Sequence, residues 1–264
     1  MSAVPPTKDL KIVFLTNKSV FGAEILRNFK QKNITVACIL IEQPESGYFL
    51  QKLKGIVNRY GYLAAIEIVA EWLWRRLFPR EPEPWRDNDF YAPFTDEILV
   101  VNDFNGHESE KKLRSLQPDI IVLGGSGVIR SNIIRIPSIG ILNAHPGSLP
   151  KYRGVEVIAW AIWNEDPIGV TVHFLDAGVD TGPICARELL PLPQENCDLE
   201  DLRIRASKLA GKLMQRVVLE LSERGTIETT KNPLEKGRQY YRMKRSQYRE
   251  ADKKLKQIVR TTIQ

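Results

Sequence analysis

The chain has 264 residues, of which 43% are hydrophobic and 27% are charged, so it can bury a sizeable core and is not disordered as a whole. This length predicts one large domain, or one domain with an appendage, and excludes repeat arrays and disulfide miniproteins. The formal net charge is +6, but residues 231–264 hold eleven Lys or Arg against three Asp or Glu, so the basicity belongs to the C-terminal end. Such a basic run can bind nucleic acid or an acidic ligand, although it more commonly forms the solvated face of a helix.

The cysteines and the N-terminal segment bear on the compartment. Cys38, Cys185 and Cys197 have no metal-like spacing, and their odd number favours a reducing environment. The start of the chain, MSAVPPTKDLKIVFL, lacks the features of a secretory signal. We therefore expect a cytoplasmic protein. We also expect no metal site, because the three histidines, His107, His145 and His173, have no ligand-like company in the sequence.

The first elements in chain order predict a parallel crossover. Residues 10–15 and 34–41 are continuous apolar runs, typical of strands buried on both faces, and residues 21–29 between them have helical periodicity. The first turn, TNKSVFG, contains only Gly22. It does not satisfy the G-x-G-x-x-G pattern of dinucleotide sites, which argues against an NAD-type enzyme.

Residues 46–95 form an apparent insertion with a helical stretch at residues 62–78. Four charges interrupt that apolar stretch (Glu67, Glu71, Arg75 and Arg76). It is too short and too charged to cross a bilayer, so we expect no membrane span. The spacing of the charges favours an amphipathic helix that packs on the domain or at a homodimer contact over a helix lying on a membrane surface.

The rest of the chain continues the alternation of strands and helices. Strands are predicted at 97–101, 119–123, 139–143, 169–175 and 184–190, the last of them antiparallel, and helices at 108–116, 156–163 and 198–224. These elements predict an α/β fold with an open, mostly parallel, twisted sheet. We assign residues 1–225 to this domain, with the helical insertion at about 46–95, and residues 226–264 to a short, helix-rich, basic C-terminal extension.

The densest run of chemistry-bearing residues is Asn143 to Gly154, N-A-H-P-G-S-L-P-K-Y-R-G. Strand side chains alternate, so Asn143 and His145 should face one pocket. Asp180, in V-D-T-G-P-I, follows another strand. Together they make a plausible acid, base and oxyanion-stabilising set, although each taken singly is also explained by a backbone bond, a satisfied core histidine or a loop cap.

The segment from Asp119 to Ile184 resembles the folate-dependent formyltransferase family, which includes glycinamide ribonucleotide, methionyl-tRNA and sugar N-formyltransferases. The resemblance is carried by N-x-H-P, S-L-P, R-G and D-x-G in this order, and it extends more loosely over residues 10–225. It implies a Rossmann-like formyltransferase topology. It also implies a transferase of one-carbon metabolism that uses 10-formyltetrahydrofolate as co-substrate.

The resemblance further implies roles for individual positions. Asn143, His145 and Asp180 correspond to the catalytic Asn, His and Asp of the family, and residues 148–150 would shape the loop beneath them. The walls for the pterin and the formyl-bearing nitrogen would be Gly125, Ser126, Gly127, Val128, Ile129, Arg130, Ala177, Gly178 and Val179. In this chemistry a neutral amine attacks the formyl carbon. Asn143 and protonated His145 would stabilise the oxyanion, while Asp180 favours the imidazolium and accepts the proton of the amine.

The acceptor is less well determined by the sequence. We expect a primary amine of a small molecule, such as a nucleotide-linked amino sugar, with contacts from Asn17, Lys18, Ser19, Arg153 and Glu156. Glu156 either binds the amine or merely begins a helix favourably. The first turn is a poor match to the phosphate grip of glycinamide ribonucleotide enzymes, and about forty residues after the domain are too few for the C-terminal barrel of methionyl-tRNA enzymes. The alternatives left open are tRNA formylation, hydrolysis of the folate to formate, and noncatalytic RNA binding.

Overall fold

The computed structural model describes residues 9–44, 83–192 and 197–263, together with positions 53–55, 57, 58, 61, 62, 65, 66, 69, 70, 73 and 77. The predicted helix at 62–78 therefore lies largely outside the described residues, including all four of its charged positions. No helix among the residues the structure describes is long and apolar enough to cross a membrane.

The described residues form an α/β fold. The strands are β1 (Ile12–Thr16), β2 (Cys38–Glu42), β3 (Ile98–Val101), β4 (Ile120–Leu123), β5 (Gly140–His145), β6 (Tyr152–Gly154), β7 (Gly169–Phe174), β8 (Ile184–Leu189) and β9 (Arg238–Tyr240). The helices are α1 (Val20–Gln31), α2 (His107–Leu116), α3 (Ser131–Ile134), α4 (Val157–Trp163), α5 (Leu199–Arg224) and α6 (Arg245–Ile263).

A seven-stranded sheet has the order β3-β2-β1-β4-β5-β7-β8 within the described part of the chain. Strands β1 to β5 are parallel, whereas β7 is antiparallel to both β5 and β8. The mostly parallel sheet and the antiparallel pairing of β8 confirm the predicted fold class. Strands β6 and β9 form a separate parallel pair.

The sheet separates two hydrophobic cores. On one face, Ile12 and Phe14 of β1 pack in a cluster that includes residues of α1, α4, α5 and α6. On the other face, Val13 and Leu15 pack in a cluster that includes residues of α2 and α3. Helices cover both faces, which is why these strands read as continuous apolar runs.

Helix ends follow the local side-chain chemistry. Ser19 caps α1 by accepting a hydrogen bond from the Gly22 amide at 3.0 Å. Asp198 and Asp201 cap α5 reciprocally, and α5 ends at Gly225 in the left-handed conformation. The predicted β2 is too long at its start, because residues 34–37 form the connection from α1 and the strand begins at Cys38.

The end of the insertion is ordered against α1. Residues 84–86 and 88–94, beyond the predicted helical stretch, form two 3-10 turns. Tyr91 is fully buried, and its hydroxyl donates to the carbonyl of Trp85 at 2.9 Å. The guanidinium of Arg27, on α1, lies 5.7 Å from the ring centroid of Trp85.

The C-terminal residues pack back onto the domain. Strand β9 pairs with β6, Thr230 forms a bridge to Ile184, and Ala251, Leu255 and Val259 of α6 are buried in the first core. The predicted extension is therefore helix-rich, as expected, but it is also built into the loops that follow β5 and β7.

Candidate active site

Two strands place three polar side chains on one face of the sheet. Ile141 of β5 belongs to the core on the α2 and α3 side, so Asn143 and His145, two and four residues further on, point the same way. The antiparallel register sets His173 of β7 opposite Asn143. The Asn143 Nδ2 atom lies 3.2 Å from His173 Nε2.

Asp180 completes the cluster from the loop between β7 and β8. Its Oδ2 atom is 3.5 Å from His145 Nδ1, and its Oδ1 atom is 3.6 Å from His173 Nε2. The amide of Gly154, at the end of β6, donates to Oδ2 at 2.8 Å. The structure therefore brings Asn143, His145 and Asp180 together, and a second imidazole lies between Asn143 and Asp180.

His173 is a residue of this cluster that the sequence does not single out. The residue is 1% exposed on a buried strand, and its neighbours in the sequence show no catalytic pattern. Its position opposite Asn143 depends on the antiparallel register of β7. His173 could have been found from the sequence only by assuming that β7 pairs with β5, which places His173 opposite Asn143.

The backbone contacts fix how each imidazole is oriented. His145 Nε2 lies 2.8 Å from the Tyr152 carbonyl, and His173 Nδ1 lies 2.8 Å from the Phe174 carbonyl. A carbonyl oxygen only accepts, so these two ring nitrogens carry protons. The other nitrogen of each ring faces Asp180, and the carboxylate lies between two imidazole nitrogens.

Burial and neighbouring charges together shift the pKa values of Asp180 and His145. Burial works to raise the pKa of Asp180, but the opposing effects of His145, the neighbouring His173 ring and the Gly154 amide outweigh it and lower the pKa to about 2. Burial lowers the pKa of His145, and the opposing effect of Asp180 does not restore it. Asp180 does favour the imidazolium form of His145, as expected, but desolvation is the larger effect, so the net shift of the His145 pKa is downward.

The first predicted wall connects β4 to α3. Asn105 fixes its backbone by donating to the Val128 carbonyl at 2.9 Å and accepting from the Arg130 amide at 2.7 Å. The Val128 side chain is 74% exposed, whereas Ile129 is buried in the second core. The expectation for Ile129 therefore needs correcting: its side chain cannot line a ligand site, since it packs inside the domain.

The second predicted wall belongs to the β7–β8 loop. Ala177, Gly178 and Val179 are exposed, and the carboxylate of Asp176 holds the loop by accepting from the Gly178 amide at 3.0 Å and from the Thr181 hydroxyl. Both walls thus offer accessible apolar atoms.

The predicted acceptor residues divide into two groups. The Ser19 hydroxyl is used within the fold, since it donates to the Gly124 carbonyl at 2.7 Å and caps α1. Glu156 faces the C-terminal segment: its carboxylate accepts from the Met243 amide at 2.6 Å and lies 3.6 Å from Arg242 Nε. The prediction that Ser19 and Glu156 bind the acceptor is therefore corrected, because other residues of the chain already bind the Ser19 hydroxyl and the Glu156 carboxylate.

Asn17 and Arg153 remain available by their positions, whereas the Lys18 ammonium donates to Gln43 Oε1 at 3.4 Å. Asn17 is exposed in the turn after β1, next to Lys18. Arg153 lies on β6 next to Gly154, and its Nε atom is buried without a hydrogen-bond partner among the described residues. A buried guanidinium nitrogen without a partner is a donor that an anion could satisfy.

The comparisons with known proteins match this segment of the chain. Residues 78–218 match the family model described as formyl transferase, and this range includes all four clustered side chains. The chain belongs to the formyl transferase family. The methionyl-tRNA formyltransferase of Chloroflexus aggregans is 39% identical over 133 residues, which are 50% of this chain and 42% of that protein. The chain thus spans less than half the length of this curated relative.

Solved structures agree on the fold. Glycinamide ribonucleotide transformylase 1 from Symbiobacterium toebii has a TM-score of 0.56 at 20% identity, over 81% of this chain and 88% of that one. A sugar N-formyltransferase from Shewanella sp. FDAARGOS_354 has a TM-score of 0.56 at 12% identity, over 88% of this chain and 76% of that one. At these identities the similarity shows that the fold is shared, and it carries no information about the substrate.

Proposed function

We propose that the protein is an N-formyltransferase that moves a formyl group from 10-formyltetrahydrofolate to a primary amine of a small molecule. The observation that carries this proposal is the cluster around Asp180, whose two oxygens lie 3.5 and 3.6 Å from nitrogens of His145 and His173, with Asn143 at 3.2 Å from His173. Membership of the formyl transferase family supports the reaction type.

The residues around the cluster fit a folate donor. Exposed Val128 and Val179 offer apolar contact to a planar ring, and a side chain built at Gly127 would meet only open space. The folate would supply the activated formyl group when bound. We assign its contacts to the exposed residues of the two walls, with Asn105 keeping the first wall in place.

Asn143 is the oxyanion donor in this proposal. Its amide has two N–H groups, and His173 Nε2 accepts only one of them. The other is available where negative charge develops on the formyl oxygen. Both ring nitrogens of His145 are directed elsewhere, one to the Tyr152 carbonyl and one to Asp180, so we do not assign oxyanion binding to His145.

Asp180 and the two histidines move the proton. A carboxylate with a pKa of about 2 is ionised at neutral pH but is a poor final proton acceptor, because acid–base catalysis is most efficient with a pKa near the working pH. Asp180 therefore orients the attacking neutral amine and stabilises the positive charge that forms on its nitrogen. The proton then passes to the ring nitrogen of His145 or His173 that faces the carboxylate, and the protonated ring would supply it to the folate nitrogen as the bond from that nitrogen to the formyl carbon breaks.

The acceptor is proposed to carry an anionic group. Arg153 lies beside Gly154, the residue that contacts Asp180, and Asn17 and Lys18 lie in the turn after β1. The partnerless Nε atom of Arg153 supports a phosphate or carboxylate contact near the cluster.

A second candidate acceptor is an aminoacyl-tRNA. It is favoured by the 39% identity to a methionyl-tRNA formyltransferase over 133 residues and by the basic segment 231–264. The same cluster would serve both acceptors, because the reacting group is a primary amine in each case.

The experiment incubates the purified protein with 10-formyltetrahydrofolate and, in separate reactions, glycinamide ribonucleotide, a nucleotide-linked amino sugar, methionyl-tRNA or no acceptor. Folate absorbance follows turnover, and product mass locates the formyl group. The proposal expects a small amine to gain one formyl group. Formylation of the tRNA alone would establish the second candidate, formate released without any acceptor would identify a hydrolase, and no turnover would reject the enzyme.

Variants connect the activity to the cluster. Asp180→Asn and His145→Ala should each lower turnover by about 10²-fold or more, the range expected for loss of an acid–base group. His107→Ala, at an exposed histidine outside the cluster, should leave turnover unchanged. Retained turnover in Asp180→Asn would contradict the assignment.

A further inference from the structure

The C-terminal segment sends one buried side chain to the loop that carries Asp180. Asn232 is 9% exposed, and its Nδ2 atom donates to the carbonyl of Asp180 at 2.9 Å and to that of Gly182 at 3.0 Å. It lies about fifty residues further along the chain than its two acceptors, and neither the motifs nor the proposed chemistry uses it.

The orientation of the Asn232 amide follows from its surroundings. Both neighbouring groups are carbonyl oxygens, which only accept, so the nitrogen and not the oxygen must face them. The Oδ1 atom is buried and has no partner among the described residues. Burying an amide oxygen without a partner costs free energy, so the presence of Asn232 here calls for an explanation, and its two donated hydrogen bonds offer one.

The backbone on both sides holds this amide in place. Thr230 and Ile184 exchange two backbone hydrogen bonds of 2.9 and 2.8 Å, which fasten the segment before Asn232 to the start of β8. Pro233 follows Asn232 and restricts it to extended conformations. Asn232 is therefore fixed beside the Asp180 loop.

The loop needs such support because Asp180 has an unfavourable backbone conformation. Its φ is 52°, in the left-handed region that residues other than glycine adopt at a cost. In this conformation the carboxylate reaches His145, His173 and the Gly154 amide. Relaxation of the backbone to a commoner conformation would turn the carboxylate away from these groups.

We propose that Asn232 is a positioning residue, which holds the backbone of Asp180 so that its carboxylate stays between His145 and His173. The inference rests on the proposed function, since it gives Asn232 a role in formyl transfer through Asp180. The C-terminal segment is in this way part of the working site, although Asn232 itself touches no reacting group.

The test compares Asn232→Leu, which keeps the approximate volume but removes both donors, and Asn232→Ala with the control Asn164→Ala. Asn164 is a matched control because its Nδ2 atom also donates twice, to the hydroxyls of Tyr152 and Tyr240, without touching Asp180. Both Asn232 variants should lower kcat by on the order of 10²-fold, as expected from small misplacements of a catalytic group, with KM for the folate within about twofold. Asn164→Ala should keep kcat.

A second readout does not depend on activity. The chain has only three histidines, so the titration of each ring can be followed by NMR, with His107→Gln to assign the exposed one. Displacing Asp180 removes the charge that raises the pKa of His145, so that pKa should fall further in the Asn232 variants and stay in place in Asn164→Ala. This shift decides the inference even if the wild-type protein formylates none of the acceptors.

Three results would overturn the inference. The first is a wild-type kcat together with wild-type histidine titrations in both Asn232 variants. The second is an equal loss of kcat in Asn164→Ala, which would indicate a general effect of the C-terminal segment. The third is loss of cooperative thermal unfolding in both Asn232 variants, which would assign Asn232 to the fold instead of to the site.

Discussion

At the scale of single residues, the protonation of His145 depends on two opposing effects. The ring is 4% exposed, and burial disfavours its charged form more strongly than Asp180 favours it. The folded protein therefore binds a proton at His145 less readily than the unfolded chain does. This difference links stability to pH.

We predict that the free energy of unfolding decreases as the pH falls below about 6.5, the ordinary pKa of histidine. In this range the unfolded chain binds more protons than the folded protein, so acid favours unfolding. The contribution of His145 to stability is complete above the pKa of the unfolded chain and is lost as the pH falls towards the lower pKa of the folded protein. Asp180 does not add to this window, because its pKa is shifted from 3.8 down to about 2. Urea unfolding at pH 7.5 and pH 5.5 measures the effect.

The matched variants are His145→Gln and His107→Gln. Gln at position 145 keeps a donor for the Tyr152 carbonyl but does not titrate, so the difference in stability between the two pH values should shrink. His107 is exposed, and its replacement should leave the difference as in the wild type. An unchanged pH dependence in His145→Gln would show that His145 is not the group responsible.

At the scale of elements, the contact between α1 and α5 depends on Gly211. A Cβ atom at this position would lie 2.7 Å from the Glu24 carbonyl and 2.6 Å from Asn28 Nδ2. The two helices approach closely there because glycine has no side chain. This contact supports the face of the sheet opposite to the candidate active site.

We predict that Gly211→Ala destabilises the protein. Alanine gains about 1 kcal/mol over glycine in a helix interior, whereas overpacking typically costs roughly 1–3 kcal/mol, and the backbone carbonyl of Glu24 cannot move aside as a flexible side chain can. The expected net loss is about 0–2 kcal/mol on these estimates, towards the upper end because the obstacle is backbone, and urea unfolding measures it. Turnover per folded molecule should not change.

The control for this prediction is another helical glycine. A Cβ atom at Gly55 would meet no described atom within 4 Å, so Gly55→Ala should be neutral or stabilising. Equal stability of Gly211→Ala and the wild type would show that α1 and α5 can separate without loss.

The elements were predictable to the extent that their signals are local. Apolar runs located β1 and β4, and the amphipathic pattern located α5 within one residue at its start. The pairing of β6 with β9 was not predictable, because three-residue strands have no period and their partners are far apart in sequence. The same reason explains the site: Asn143 and His145 share a strand, whereas His173 and Asn232 reach it only through long-range register.

At the scale of the whole molecule, part of the basic character of residues 231–264 forms a stripe on the outer face of α6. Four exposed side chains recur there at helical spacing: Arg245, Arg249, Lys253 and Arg260. The opposite face of the helix is buried in the first core. This basic stripe is therefore a solvated helical face by position, and its use in binding tRNA depends on which acceptor is correct.

We predict that Arg249→Glu combined with Lys253→Glu changes kcat/KM for a small amine acceptor by less than about twofold at roughly 0.1 M salt, because at that ionic strength screening limits the reach of exposed charges to roughly 10 Å. Lys208→Glu, an exposed lysine on α5, is the control for charge reversal outside the stripe. If the acceptor is a tRNA instead, the double variant should lose at least about tenfold in kcat/KM, and the wild-type value should fall steeply with salt as phosphate contacts are screened. Such a loss, absent in Lys208→Glu, would move the assignment from a small molecule to a nucleic acid.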